Sequence, residues 1–468
     1  MEGFCREVAA RLPLAQAVMR LFRWICEEEF LAEVFRQHRG RSYEKLLTFP
    51  QMVQLVCDAL LQHHGSVRQS FARAKEEGEI DCGIHSVYRK LADLPLSLSM
   101  GFFHETTKRL QQVFPQEVNY CPIPPSLGEF EILCHDGKTI KHVQKRLKVL
   151  QGISGSLLGG RLVVSQSYRT GMAVALSASE DGESGETRLL PEALRQTREV
   201  IARTRLHVCD RGYCGSPQMN ACQEHGDHFF LRFHKQRLAF HENGDWEPAE
   251  GMDRYGRSYT EDWGWLGGPD HPERRPVRRI QLHRPGIKDE LILLTDLEDP
   301  DQYPADDLLE AYLKRWNIER MFQQVTEVFS LESLIGSSPK ATVFQASFCF
   351  LLYNLIQVLR AYIAEGQEIE SVETISSELL FVDVHRQLNG WTELLDVSQT
   401  VDQLPPLMSV SDVIDHLREL LGTRWTDRWW KSPSNTHRSA KVKAKKPVRG
   451  GHAAVFRILQ TQKVRRKT

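Results

Sequence analysis

Residues 341–363, ATVFQASFCFLLYNLIQVLRAYI, constrain the fold more than any other stretch of the chain. A run this long and apolar could cross a bilayer by length alone. Gln345, Asn354, Gln357 and Arg360 interrupt it, and each is costly in lipid. The segment is therefore expected to be a buried core helix that the rest of the chain must enclose. No membrane partner is expected. At 468 residues the chain exceeds one ordinary core, so two to four structural units are expected. The net charge of −1 excludes nothing, but its distribution is uneven. Residues 431–468 hold twelve Lys and Arg and no acid, leaving about −13 on residues 1–430. A basic tail on an acidic body suits a polyanion, or is simply a solvated terminus. Ten cysteines, scattered without a CxxC pair, fit a reducing cytosol.

Taken in order, the chain opens on helical periods. Leu14, Val18, Leu21, Phe22, Ile25, Leu31, Val34 and Phe35 recur at steps of three and four, and four more such segments reach Phe114. Residues 1–118 read as an all-α domain with a basic side at Arg68, Arg73, Lys75, Arg89 and Lys90. It is either a DNA-binding domain or a helical interaction domain. After the linker YCPIPPSLG the pattern changes to strands: Phe130–Asp136, Leu162–Tyr168 and Met172–Ala178. A helix, Leu190–Ala202, and a strand, Leu206–Cys209 running into Asp210, follow. Three strands, a helix and a fourth strand open an RNase H-like mixed sheet, although other α/β sheets share that order. The expected architecture is multidomain α/β. An RNase H-like core (119–234 and 289–366) is interrupted by a β-rich insertion at 235–288. A helical region at 367–430 follows, and the basic tail from 431 is expected to be disordered without a partner. LQGISGSLLGG lacks the Gly-Lys-Ser/Thr ending of a phosphate-binding loop.

A helix over 304–329 sets Tyr312, Arg315 and Glu319 on one side. The bland reading is an i,i+4 ion pair on a wet face, but Trp316 and Ile318 interleave with the polar residues. Asp136 ends the first strand and Asp210 follows the fourth. Three carboxylates converging from separate elements are what two-metal phosphoryl transfer requires, and oxygen ligands select Mg²⁺ or Mn²⁺ over zinc. Each also has an ordinary alternative: Asp136-Gly137 as a hairpin turn, Asp210 as a helix cap. Trp246, Trp263, Trp265 and Trp316 are candidates to stack on an unpaired base, or to pack a sheet. His207, Cys209, Cys214, Cys222, His225 and His228 match no common zinc spacing, and buried thiols account for them better.

Tyr312-x2-Arg315-x3-Glu319, and the run Asp210-Arg211-Gly212-Tyr213 before a helix and FFLR, resemble bacterial insertion-sequence DDE transposases. The likeness is to the IS-four-like group with a Tyr-Arg-Glu-Lys signature, and it spans about residues 130–365. It implies that Asp136, Asp210 and Glu319 are catalytic and bind Mg²⁺, with Mn²⁺ able to substitute. It also implies DNA contacts by Tyr312, Arg315, Trp316, Arg211, Trp263 and Trp265. Double-stranded DNA, as transposon ends and target, would be the partner, and a homodimer would pair the ends in the bacterial cytoplasm, at the nucleoid. Thr326 stands where that group carries Lys. A domesticated DNA-binding protein that keeps the fold without the chemistry is the alternative, and a nuclease without strand transfer a third reading.

Overall fold

The computed structural model describes residues 7–8, 10–61, 66–141, 143, 147–244, 247–283, 290–329, 331, 337–394, 409–431 and 451–465. Trp246 and most of the basic tail lie outside them.

Twelve strands are described: β1 (Glu131–Ile140), β2 (Leu157–Leu158), β3 (Gly160–Ser167), β4 (Ala173–Ser179), β5 (Arg205–Cys209), β6 (His228–Arg232), β7 (Phe240–Glu242), β8 (Ala249–Met252), β9 (Ser258–Leu266), β10 (Arg275–Leu282), β11 (Leu291–Thr295) and β12 (Ala453–Ala454). The main sheet runs β4-β3-β1-β5-β6-β11-β10-β9-β7, with β8 also on β9. β1, β3 and β4 are antiparallel, whereas β1, β5 and β6 are parallel. This mixed α/β order is consistent with the RNase H-like core expected from the sequence. The strands of 240–282 are not set apart from it. They continue the same sheet through β11, whose partners are β6 on one side and β10 on the other.

Before the sheet, the helices with described bounds are α1 (Pro13–Ile25), α2 (Glu28–His38), α3 (Phe49–Leu61), α4 (Val67–Glu76), α5 (Ile84–Asp93) and α6 (Leu96–Gln112). α7 (Leu190–Val200) and α8 (Ser216–Gln223) flank β5 in sequence. Beyond the sheet come α9 (Ala305–Leu313), α10 (Trp316–Glu327), α11 (Pro339–Gly366), α12 (Ser377–Leu394), α13 (Val410–Leu421) and α14 (Val455–Arg465).

α11 contains the long apolar segment, and it is buried from Ala341 to Ala364. By length and apolarity it could cross a membrane, yet the most apolar stretch lies wholly inside the protein. Its polar residues serve the fold. Asn354 accepts from Ala173 N at 2.8 Å and donates to Ala173 O at 2.8 Å, satisfying a backbone position on the edge strand β4. Arg360 donates to Gln357 Oε1 and to the carbonyls of Val372 and Ile375. Phe102 packs on Phe49 and Phe348, with ring centroids 5.8 and 5.6 Å apart, tying α3 and α6 to α11. One continuous buried cluster accordingly runs from Leu14 through the sheet to Trp429.

A cleft of about 360 Å³ opens among the N-terminal helices, with Glu28, Gln54, Asp58 and Glu79 on its walls. Asp58 is 6% exposed and accepts a bond from Gln54 Nε2 at 3.1 Å. Burial pushes its carboxyl up to about 6. Of the expected basic side, Arg73 is paired with Glu77 at 3.0 Å and Lys75 with Asp81 at 3.3 Å.

The described end of the tail is docked rather than free. β12 pairs in parallel with β2, Ala454 and Val455 are buried, and Arg457 binds Asp181 at 2.9 Å and also Glu183. Apolar side chains at 453–455 and a guanidinium facing two acids explain why these residues return to the core.

Candidate active site

β1 is longer than the sequence suggests, and Asp136 lies inside it. Asp136 and Gly137 pair with Val164 and Val163 of β3, which leaves no hairpin turn at this position. The parallel pairing with β5 ends one step earlier, at His135 opposite Cys209. Asp136 and Asp210 are the next residues on the two chains. Neighbouring strands run about 4.8 Å apart, so the two aspartates emerge side by side where β5 leaves the sheet.

Asp210 precedes the short helix at Arg211–Tyr213, but its side chain caps nothing there. Its Oδ1 is buried and has no hydrogen-bond partner. Asp136 Oδ1 accepts from Gly137 N at 2.8 Å. Burial is the main cause that pushes the Asp136 carboxyl up to about 6, and Glu186 and Asp210 add to it against Gly137 N–H and Arg315.

The single helix expected over 304–329 is two. After Leu313 the ladder tightens: Arg315 N bonds Tyr312 O, Asn317 N bonds Lys314 O and Ile318 N bonds Arg315 O. Glu373 holds both sides of the break, accepting from Lys314 Nζ at 2.8 Å and Asn317 Nδ2 at 3.4 Å. Glu319 therefore stands in the first turn of α10, at the positive end of its dipole. Arg315 Nη2 donates to Glu319 Oε1 at 3.0 Å, and Arg315 O accepts from Cys134 Sγ on β1 at 3.8 Å. Burial works against the Arg315 charge, but Cys134, Tyr312, Asp210 and Asp136 outweigh it and hold its pKa above the usual value. Arg315 thus bonds Glu319 directly and lies within the electrostatic reach of both aspartates.

Among the described residues no three of His, Cys, Asp and Glu are grouped so as to hold one metal ion. The structure brings Asp136 beside Asp210 and leaves Glu319 with Arg315. The donor set nevertheless suits a hard divalent cation: an orphaned, buried aspartate oxygen stands next to a carboxyl that its surroundings leave short of positive charge. Asp136 and Asp210 would hold such a cation, with Glu319 as the remaining oxygen ligand.

The residues expected to touch DNA divide into two sets. Trp316 is 58% exposed at the start of α10, with Arg315 Cζ 5.5 Å from its ring. Arg211 lines a cleft of about 330 Å³ with Arg232, His234 and Lys235. Tyr312 is buried, burial pushes its phenol up, and its hydroxyl has no hydrogen-bond partner. Trp263 is buried in β9 and donates to Glu298 O at 2.8 Å, so its ring packs the sheet and offers no face to a base. Trp265 is half-buried, with the Arg274 guanidinium 4.2 Å from its ring. Thr326 Oγ1 donates to Phe322 O at 2.6 Å within its own helix.

Two groups escaped the sequence reading. Glu186 forms an ion pair with Arg161, and its carboxyl end occupies the space that a Cβ on residue 137 would fill, so a side chain there would displace Glu186 from beside Asp136. Its polar loop carries no signal of this. Beside the aspartates, a buried chain of bonds crosses three strands and ends on the residue before β6. Ser165 Oγ lies 2.8 Å from His135 Nδ1, His135 Nε2 lies 2.9 Å from His207 Nδ1, and His207 Nε2 lies 3.3 Å from Asp227 Oδ2. Burial pushes both imidazoles down. Neutral rings satisfy the whole chain if each donates from Nε2 and accepts at Nδ1. Burial disfavours ionised Asp227, but bonds from His207, Arg205 and Arg198 prevail and hold its carboxyl well below the usual range. This chain occupies His135 and His207 and ties β1 and β5, which carry Asp136 and lead into Asp210, to Asp227. Cys209, Cys214 and Cys222 are buried among Met219, Phe229 and Leu231.

No curated protein matches the chain. Residues 128–355 match the transposase DDE domain family, a span that contains Asp136, Asp210, Tyr312, Arg315 and Glu319. That match, on a chain with this mixed sheet and these carboxylates, supports a DDE transposase family, with DNA as the partner that such a domain implies.

Proposed function

We propose that the protein is the cut-and-paste transposase of a bacterial insertion sequence in the IS-four-like, Tyr-Arg-Glu-Lys group. It binds the terminal inverted repeats as a homodimer in the cytoplasm, cleaves the ends and joins the freed 3′ hydroxyl to a target strand. The observation that carries the reading is the position of Asp136 and Asp210, each one residue past the last β1–β5 pair, with an arginine nearby that holds Glu319. Asp136, Asp210 and Glu319 would hold Mg²⁺ or Mn²⁺. A divalent cation bound there would activate the attacking water and neutralise charge developing on the phosphate. Arg315, kept charged by the acids around it, orients Glu319 and can turn a second N–H toward a phosphate oxygen. Tyr312 has a buried hydroxyl to donate to the same group. The exposed Trp316 ring stacks on an unpaired base at the mouth of the site.

Asp136→Ala, Asp210→Ala and Glu319→Ala should each abolish Mg²⁺-dependent cleavage of a plasmid carrying the DNA that flanks the gene. Binding to that DNA should stay within a few-fold. A variant that still cuts at the wild-type rate removes its residue from the assignment. A second reading, DNA binding without chemistry, draws on the Arg315–Glu319 pair and on the finding that, among the described residues, the three carboxylates form no metal-holding group. Under it the wild type binds the flanking DNA and cuts nothing in either Mg²⁺ or Mn²⁺.

A further inference from the structure

Residues 39–48 join α2 to α3, and they carry Tyr43 at 68% exposure and Leu46 at 67%. No large apolar side chain among the described residues is more open to water than Tyr43. Exposure alternates along the turn: Arg41, Tyr43 and Lys45 are exposed, while Ser42 and Glu44 between them are half-buried. The turn is nonetheless pinned. Ser42 N bonds Arg39 O at 2.9 Å, Ser97 Oγ donates to His38 O at 2.8 Å, and Leu47 is buried. Glu44 accepts from Phe49 N at the start of α3 and lies 3.8 Å from Lys90 Nζ. The one acid of the turn is thus used within the fold, and its exposed charges are Arg39, Arg41 and Lys45. Arg41 forms no ion pair among the described residues, and Lys45 Nζ lies 5.5 Å from the centre of the Tyr43 ring.

We propose that this turn is a contact for duplex DNA, with Arg41 and Lys45 on backbone phosphates and the Tyr43 hydroxyl bonding beside them. The inference rests on the reading of the chain as a transposase, and it gives the N-terminal helices a part in holding the DNA. A ring held this far into water contributes little to the core, so folding does not explain its fixed position. Residues 1–430 carry about −13, and a positive turn on such a body draws a polyanion to that place while the rest repels it. Guanidinium, ammonium and phenol are all donors suited to phosphate oxygens. One ring and one leucine fall far short of the roughly 800 Å² per partner that a stable protein interface needs. The plainer role is a solvated turn whose cations only complement the negative end of the α2 dipole.

Arg41→Gln and Lys45→Gln each remove one charge, Arg41→Lys keeps it, and Tyr43→Phe removes the hydroxyl alone. Affinity for the duplex DNA that flanks the gene would be measured across a salt series, with nicking of supercoiled plasmid in Mn²⁺ at saturating protein alongside. Each neutral variant should bind about tenfold more weakly at low salt, the worth of one charge-assisted bond. Its log–log salt slope should fall by about 0.9, one phosphate contact, and the double variant should lose about twice as much. Arg41→Lys should keep the wild-type slope, and Tyr43→Phe should weaken binding a few-fold without changing it. Nicking and melting temperature should not move, because these side chains lie outside the catalytic elements and outside the core. Neutral variants that match the wild type in affinity and slope, in a protein that binds and nicks, overturn the inference alone. So does a loss confined to binding of phosphatidylserine-containing vesicles, which would make the turn a lipid contact. A wild type that neither binds nor nicks removes the transposase reading, and the inference with it.

Discussion

Asp58→Asn is expected to stabilise the protein at neutral pH and to change nothing in acid. Asp58 lies on α3 at 6% exposure, and burial raises its carboxyl from 3.8 to about 6. Below 3.8 both the folded and the unfolded chain carry the proton, so the group does not favour either. Between the two values the unfolded chain ionises while the folded one keeps its proton, and the stability that this carboxyl contributes is lost as pH rises. Above 6 it is charged in both states, and the folded state bears the full penalty. At 1.36 kcal/mol per pH unit the displacement amounts to roughly 3 kcal/mol. Asparagine retains an oxygen to accept from Gln54 Nε2 and never ionises. Urea unfolding of both proteins at pH 7.5 and pH 3.5 tests this. The variant should gain about 3 kcal/mol at the higher pH and nothing at the lower. Equal differences at both pH values would mean that the effect is packing, and that Asp58 ionises freely in the fold.

Trp316→Ala should weaken binding to nicked or gapped duplex by about 1–3 kcal/mol and leave the melting temperature unchanged, because its ring is exposed. Trp263→Ala should instead cost about 3–5 kcal/mol of stability, since the ring is buried and its N–H is bonded to Glu298 O. Equal effects of the two changes on DNA binding would refute that division. Truncation after Trp430 should lower the melting temperature as well as flatten the salt dependence of DNA binding, because it removes buried Val455 and the Arg457 ion pairs. A truncated protein with wild-type melting would show that the docked end adds nothing to the core.

What was legible in the sequence is what local patterning determines. The order of strands and helix from Glu131 to Cys209 could be read because alternation and period are properties of neighbouring residues. The core role of α11 could be read because polar side chains in so apolar a run imply partners inside a protein. The break between α9 and α10 could not, because the residue that clamps it, Glu373, is distant in sequence. The same holds for Glu186 against Gly137, and for the Ser165–His135–His207–Asp227 chain, whose members lie on separate elements. Aromatic residues were ambiguous for another reason. Trp263 and Trp316 look alike in sequence, and only the neighbours of each ring decide between packing and exposure.

The extension of the sheet beyond β6 bears on how the protein behaves in company. An open sheet offers its border strands to any other extended chain, and long bare borders promote aggregation. Here β11 and β10 occupy the side of β6 that would otherwise be open. The far border is divided between β7 and β8, three and four residues long, both paired with β9. At the opposite border, side chains stand in for a missing strand: Asn354 meets both backbone groups of Ala173, and Gln196 accepts from Leu176 N at 2.9 Å. Among the described residues the ten-stranded sheet has no long bare margin. Copies of the chain that meet in solution are thereby kept from associating strand to strand.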